Sequence, residues 1–155
     1  MKSMREDEEF VDTEIIVRYG ETDKMGVVYY SNYLAWFEIG RVAWCRAKGF
    51  RYSDMEAKYG RFMMVAEAKC RYMAPARFED DIVIRTAVGR STDRIIRFDY
   101  LIQNKATGQL LARGETVHVL TDTACRPARL PDDFRHYFGL LPRPGTRKPS
   151  AGNPG

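Results

Sequence analysis

Residues 21–33 read ETDKMGVVYYSNY and set one acidic side chain, Asp23, among glycine, valines and tyrosines. A loop aspartate ordinarily hydrogen-bonds a turn. The apolar residues that follow this one should draw the loop inward, and a partly buried carboxylate can also serve as a base or a nucleophile. Other residue types with chemistry to offer are less suggestively placed. His118 and His136 lack metal-ligand spacing to another His or Cys and read as structural. Cys45, Cys70 and Cys125 lie far apart with no C-x-x-C pair, so neither a disulfide framework nor a zinc knuckle is suggested, and they read as buried or partly buried thiols. Glu38 stands three residues from Arg41 on a helical pattern and reads as half of a surface ion pair. There is no G-x-S-x-G elbow, no phosphate loop of the G-x-x-x-x-G-K-[ST] kind and no H-E-x-x-H.

The elements that must position Asp23 follow from periodicity. TEIIVRYG, 13–20, reads as a strand, and GETDKMGVV as a loop punctuated by Gly20 and Gly26. From Ser31 or Asn32 as N-cap, Tyr33, Trp36, Phe37, Gly40, Ala43, Trp44 and Ala47 recur at helical spacing, and Gly49 is placed to end the helix. Leu34, Ile39 and Cys45 widen the apolar coverage, which predicts a core helix. YSDMEAKY, 52–59, adds a short helix. The period then changes to two: Phe62, Met64, Ala66, Ala68, Cys70 and Tyr72 predict a long strand with one buried face, ended by Pro75. Three more strands follow around Ile82–Val88, Ile96–Ile102 and 109–121, the last two joined by a turn over Asn104–Gly108.

Strands joined by short connections predict antiparallel pairing, and a helix apolar nearly all round needs a curved sheet to cover it. The expected class is α+β, a five-stranded antiparallel sheet wrapped around one long central helix. Its open edges favour pairing between subunits. One domain, 12–141, is expected between a flexible segment 1–11 and a flexible Pro-, Gly- and Ser-rich tail, 142–155.

The 155 residues are enough for one domain with its own core, and 45% hydrophobic with 30% charged residues argues against disorder. No segment approaches the roughly 18 uninterrupted apolar residues of a membrane span, and the charged start MKSMREDEEF lacks a signal region, so cytoplasmic residence is expected. The net charge of +4 suits an anionic small molecule as well as a polynucleotide. No interleaved basic and aromatic motif supports nucleic-acid binding, which is not expected.

The stretch YGETDKMGVVYYSNYLAWFEIGR resembles the N-terminal signature of hot-dog-fold acyl-CoA thioesterases of the 4-hydroxybenzoyl-CoA thioesterase type, approximately Y-x-D-T-D-x-x-G-x-V-[YW]-[HY]-x-N-Y-x-x-[WF]-[FL]-E. RYMAPARFEDDIVI is similar to that family's later strand, proline and Asp-containing turn, and weaker similarity extends to about residue 138. Glu21 departs from the family's usual Asp, and Tyr30 stands where many members have His.

The resemblance implies that Asp23 is the catalytic carboxylate, as nucleophile or general base, and that the Tyr30 backbone N–H polarises the thioester carbonyl. Gly26, Val27 and Asn32 then line the substrate site, although Asn32 also suits a capping role. A helix N-terminus, with its unpaired N–H groups, agrees with the part given to Tyr30. Coenzyme A carries phosphates, and Arg90, Ser91, Thr92, Arg94, Arg126 and Arg129 are candidates to meet them. No metal or organic cofactor is implied, since CoA is part of the substrate. The expected activity is hydrolysis of a small aryl- or short-chain acyl-CoA, with an acyl-carrier-protein thioester also compatible. A homodimer or homotetramer with sites at subunit interfaces is implied as well. The alternative is a hot-dog module that binds such a thioester without cleaving it.

Overall fold

A computed structural model describes Met4 and residues 8–145. Its elements are β1 (Phe10–Ile16), a 3-10 turn (Tyr19–Glu21), α1 (Asn32–Lys48), α2 (Tyr52–Tyr59), β2 (Phe62–Tyr72), β3 (Asp81–Val88), β4 (Ile95–Asn104), β5 (Leu110–Thr121) and a second 3-10 segment (Asp132–Phe138). The strands form one antiparallel sheet in the order β1-β3-β4-β5-β2, and α1 lies against it. This is the expected α+β architecture.

β1 lies earlier than expected, beginning inside the segment expected to be flexible. Its polar residues have partners far along the chain: Arg85 grips Asp12 at 2.8 Å, and Lys105 reaches Glu14 at 2.7 Å. The rest of the two expected flexible ends, 1–3, 5–7 and 146–155, lies outside the described residues. Arg143, in the expected tail, is tied to Asp93 and Asp132.

The helix α1 buries Tyr33, Trp36, Phe37, Gly40, Trp44 and Cys45, and Gly49 closes it. Two bare backbone positions let it approach the sheet. A Cβ on Gly40 would lie 2.4 Å from Thr86 Oγ1, and a Cβ on Gly114 would lie 2.0 Å from Cζ of Phe37. The Phe37 ring therefore occupies the place of a side chain on β5, and it stacks on Tyr100 at 4.4 Å. At the far end of the helix Trp44 meets Phe98 and Phe138, which completes the core.

Four expectations are corrected. Leu34 and Ile39, expected to widen the apolar coverage of a core helix, are exposed, because the sheet covers only the face of α1 that carries Tyr33, Trp36, Phe37, Gly40 and Trp44. β2 has no buried face: its central residues are exposed, Val65 to 56%. The register against β5 shifts between Val65 and Glu67, so the alternation breaks at Ala66, and the strand touches the core through Met63 before the bulge and Cys70 after it, an odd position and an even one. Arg41 does not pair with Glu38 but turns inward, donating to the Tyr100 hydroxyl at 3.3 Å. Cys125 is exposed, whereas Cys45 is buried and its thiol is pushed up to about 11 by that burial.

The Tyr100 hydroxyl lies 2.7 Å from Thr116 Oγ1, which lies 2.8 Å from His118 Nε2, so β5 carries a buried polar chain beneath the helix. Burial, reinforced by the Arg41 charge, lowers the His118 pKa from 6.5 to about 4. A folded value below the unfolded one means that the stability this neutral ring confers is complete above about pH 6.5 and is lost as pH falls toward 4. The thermal midpoint of the protein should drop through that window. His118→Phe, which has no titrating ring, should flatten the decline in a melt series between pH 7 and 4.

Candidate functional site

The segment between the first 3-10 turn and α1 is a small folded loop. Thr22 and Val28 form an antiparallel bridge, Val27 bridges to Arg77, and Val28 N–H donates to Ala76 O at 2.9 Å. At its tip the Asp23 N–H donates to Val27 O at 2.8 Å, Gly26 N–H donates back to Asp23 O at 3.0 Å, and Gly26 takes the positive-φ corner at 77°. One carboxylate oxygen of Asp23, Oδ1, accepts the Met25 N–H at 2.8 Å. That is the ordinary turn role of a loop aspartate, and it also fixes the direction of the group. Asp23 is half-buried, as its surroundings in the sequence suggested.

Behind the loop stands Glu21, 7% exposed, a residue that the sequence marked only as a departure from the family pattern. Its carboxylate accepts the Arg18 N–H and Nε–H, each at 3.0 Å, and the Trp36 indole N–H at 2.6 Å. Burial pushes its pKa upward, but these donors outweigh burial and hold it below the usual carboxylate value. The Glu21 carbonyl oxygen accepts two further bonds, from Tyr29 N–H at 2.8 Å and from Asn32 Nδ2 at 2.8 Å. Glu21 thus fastens the loop to the first turn of α1 from both its side chain and its backbone.

The same bonds define what Asn32 and Ser31 do at the helix start. Ser31 holds the N-cap position without a side-chain cap, and Asn32, the first helical residue, staples the helix to Glu21 instead of capping it. Asn32 N–H donates to Tyr29 O, Tyr33 N–H to Tyr30 O and Leu34 N–H to Ser31 O. The Tyr30 N–H has no acceptor among the described residues, so it is left at the mouth of the helix, where the peptide dipoles concentrate positive potential.

Around that amide lies an aromatic cluster. Tyr30 meets Tyr29 at 4.7 Å and Tyr72 at 6.4 Å between ring centroids, and Tyr72 meets Tyr33 at 5.0 Å. The Tyr72 hydroxyl donates to Tyr30 O at 2.8 Å, which orients the Tyr30 peptide group from β2. The Tyr29 phenol is raised above its ordinary pKa, first by its hydrogen bond with Tyr30 and to a lesser degree by the Asp23 charge. Tyr30 is 60% exposed, and Tyr29, Tyr72, Met73 and Leu34 are also open to solvent. Tyr72 carried no functional signal in the sequence, because its part depends on a cross-fold contact 42 residues away.

The structure therefore brings Asp23, Gly26, Val27, Tyr30 and Asn32 together. It does not bring the basic candidates to them within one chain. Arg90, Ser91, Thr92 and Arg94 form the connection from β3 to β4, beside the Met64 end of β2, whereas Tyr72 marks the other end. Eight residues of strand separate Met64 from Tyr72, roughly 25 Å. The Ser91 hydroxyl donates to Gly89 O and accepts Arg97 N–H, and Thr92 Oγ1 accepts from Arg94 N–H and Ile95 N–H, so both hydroxyls serve the turn. Arg126 pairs with Asp122 at 3.2 Å, and Arg129 approaches Asp93 at 3.8 Å. Arg61, Arg129 and Arg143 help to line a cavity of about 540 Å³ at this same end, with Asp132 and Asp133 among its other walls. Among the described residues no group of three or more His, Cys, Asp or Glu could hold a metal ion, and no helix is long and apolar enough to cross a membrane.

The chain is similar in sequence and fold to proteins of known family. The chain is 37% identical to the protein YneP of Bacillus subtilis over 125 residues, which cover 81% of this chain and 87% of that protein. It is 32% identical to the acyl-CoA thioester hydrolase YbgC of Escherichia coli over 123 residues, 79% of this chain and 90% of YbgC. Among solved structures, the DHNA-CoA thioesterase of Staphylococcus aureus superposes with a TM-score of 0.74 at 31% identity, covering 84% of each chain. Residues 17–138, from the end of β1 through the second 3-10 segment, match the Thioesterase-like superfamily, and the chain is a member of that family.

Proposed function

We propose that the protein hydrolyses acyl-CoA thioesters with a small aryl or short acyl group to the free acid and CoA. The observation that carries this reading is the pairing of an unengaged Tyr30 N–H at the start of α1 with a carboxylate held in a fixed turn on the adjoining loop. A thioester carbonyl oxygen resting against that amide gains stabilisation as it becomes anionic. Asp23 then acts in one of two ways. As nucleophile it adds to the carbonyl carbon, CoA leaves as thiolate, and water cleaves the resulting mixed anhydride. As general base it takes a proton from water, whose oxygen attacks, and the proton ends on the departing thiolate. Both routes consume one water and return Asp23 unprotonated.

The open aromatic face of Tyr29, Tyr30 and Tyr72 favours an aryl group, and names of relatives such as the DHNA-CoA thioesterase point the same way. A second copy of the chain supplies the missing half of the site. β2 is an eleven-residue edge strand with exposed apolar residues at Met64 and Val65. An edge of that kind invites another strand. Antiparallel pairing of β2 with the same strand of a partner would set the Tyr72 end of one chain beside the Phe62 end of the other. Arg90 and Arg94, which make no ion pair among the described residues, would then stand within reach of the phosphates of a thioester held at the partner's Tyr30.

Thiol release measured across aryl-, short- and long-chain acyl-CoAs, together with acyl-carrier-protein thioesters, tests the reading. Turnover should be fastest with small aryl- or short-chain acyl-CoAs. Tight acyl-CoA binding with no thiol released from any of them would make the protein a binding module instead. Neutralising Arg90 and Arg94 together should weaken CoA binding about tenfold and flatten its dependence on ionic strength. An unchanged affinity would remove these two residues from the site.

A further inference from the structure

The cavity of about 540 Å³ between the α2–β2 connection and the C-terminal segment has a wall that the fold alone does not explain. Tyr59, Arg61, Arg129, Leu130, Asp132 and Asp133 belong to that wall. Arg61 is half-buried, yet it forms no ion pair among the described residues. Its Nε–H donates instead to Arg129 O at 3.2 Å, and Nη1 donates to Tyr59 O at 3.4 Å. Two backbone carbonyls thus hold the guanidinium fork still without neutralising it, and its other N–H groups are left for a ligand. The remaining charges gather on three aspartates. Arg129, Arg135 and Arg143 approach the single Asp93 carboxylate at 3.8, 3.7 and 3.4 Å. Arg143 also reaches Asp132 at 3.1 Å, while Asp133 is held by Lys58 at 3.5 Å and by the Tyr59 hydroxyl.

Together with Arg61 this network sets five cations, Lys58, Arg61, Arg129, Arg135 and Arg143, against three carboxylates, Asp93, Asp132 and Asp133, a surplus of two positive charges. Like charges held in a partly buried wall repel one another until an anion joins them. Arg61 and Arg129 are the two least engaged, and the bond from Arg61 Nε–H to Arg129 O keeps them adjacent. Guanidinium forks suit phosphate oxygens, and a phosphate monoester carries close to two negative charges near neutrality, whereas a diester carries one. We infer that this cavity binds a phosphate monoester dianion, anchored by Arg61 and Arg129. Its volume leaves room for a small-molecule body beside the phosphate. Two sources supply such a group. One is the 3′-phosphate of a CoA whose thioester occupies a partner subunit, which rests on the reading proposed above. The other is a separate phosphorylated metabolite. A carrier-protein thioester supplies neither, because its phosphate is a diester.

Calorimetric titration of the full chain with methyl phosphate, and with dimethyl phosphate as the diester control, tests the site. It needs no turnover, so a protein that failed to hydrolyse acyl-CoAs would still pass or fail it. Methyl phosphate should bind at one equivalent per chain and about tenfold tighter than dimethyl phosphate. Arg61→Gln should weaken that binding about tenfold. Arg129→Gln should do the same, and because its side chain is 57% exposed the variant keeps the fold and decides the matter if Arg61→Gln does not fold. CoA and 3′-dephospho-CoA then separate the two sources. A CoA preference of about tenfold that Arg61→Gln erases would assign the cavity to the substrate's own phosphate. Equal affinities, beside Arg61-dependent binding of methyl phosphate, would assign it to a separate metabolite. The inference is overturned if neither methyl ester binds, if the diester binds as tightly as the monoester, or if folded arginine variants bind methyl phosphate as the parent does.

Discussion

Replacing Asp23 by asparagine should lower the rate of thiol release by about 10³-fold, within the range that general-base catalysis supplies. The amide oxygen of the new side chain can still accept the Met25 N–H that Oδ1 accepts at 2.8 Å, so the turn and the backbone bond from position 23 to Val27 should survive. What is lost is the basic, nucleophilic oxygen. The thermal midpoint should shift by less than about 2 °C, as for a replacement that keeps the local hydrogen bonds. Affinity for an acyl-CoA should be retained, so that the loss lies in turnover and not in binding. Tyr30→Phe is the natural companion measurement. The proposed role belongs to the Tyr30 backbone amide, and the bond from Tyr72 is accepted by the Tyr30 carbonyl, so loss of the phenol should cost under tenfold. An Asp23→Asn protein with the parent's turnover would sink the mechanism, whatever the assembly turns out to be.

The largest expected effect on stability is at Glu21. Glu21→Ala removes the acceptor of the Trp36 indole N–H, which donates at 2.6 Å, and of both donors from Arg18. Trp36 is 1% exposed, so its N–H would be left in the interior without a partner. Orphaning a buried donor together with the loss of charge-assisted bonds costs about 3 kcal/mol. For a chain of this size that corresponds to a fall in the midpoint of roughly 6–12 °C. Glu21→Gln keeps one acceptor for Trp36 and should cost about half as much. The loss also has a pH signature. The folded pKa of Glu21 is depressed, so the stability it confers is present above the unfolded carboxyl value of about 4.3 and disappears as pH falls through the folded value. The parent and the Glu21→Ala protein should therefore differ most near neutrality and converge in acid. Equal midpoints at pH 7 would show that the carboxylate does not tie the loop to the helix.

The parts of this architecture that were legible in the sequence are those set by local rules. The start and end of α1 followed from its apolar spacing and from Gly49, and the turn after β4 from Asn104, whose side chain accepts the N–H groups of Ala106 and Thr107. The course of β2 was legible but its faces were not. Met63, Met64, Val65 and Ala66 are all apolar, so alternation there cannot choose a side, and the extra residue of the bulge reverses the pattern at Ala66. Arg41 illustrates a different limit. Three residues from Glu38, it satisfied the spacing of a helical ion pair, yet the Tyr100 hydroxyl, 59 residues away, drew it inward. The candidate site divides in the same manner. The signature segment named Asp23 and Tyr30 because they are neighbours in sequence. Glu21 and Tyr72 act through contacts with α1 and the Tyr30 carbonyl that no local pattern announces.

The seating of α1 has a mechanical consequence. Phe37 is lodged where β5 has no side chain, and Gly40 lies directly on Thr86 and Ile84, so the rod is pinned at two points along its length. It cannot slide or roll without driving an aromatic ring into a neighbouring backbone. On the proposed mechanism, the height at which its leading amide would greet an incoming carbonyl is therefore fixed by the scaffold, and tolerance for guests of different girth would come from the tyrosines that fringe the proposed entrance.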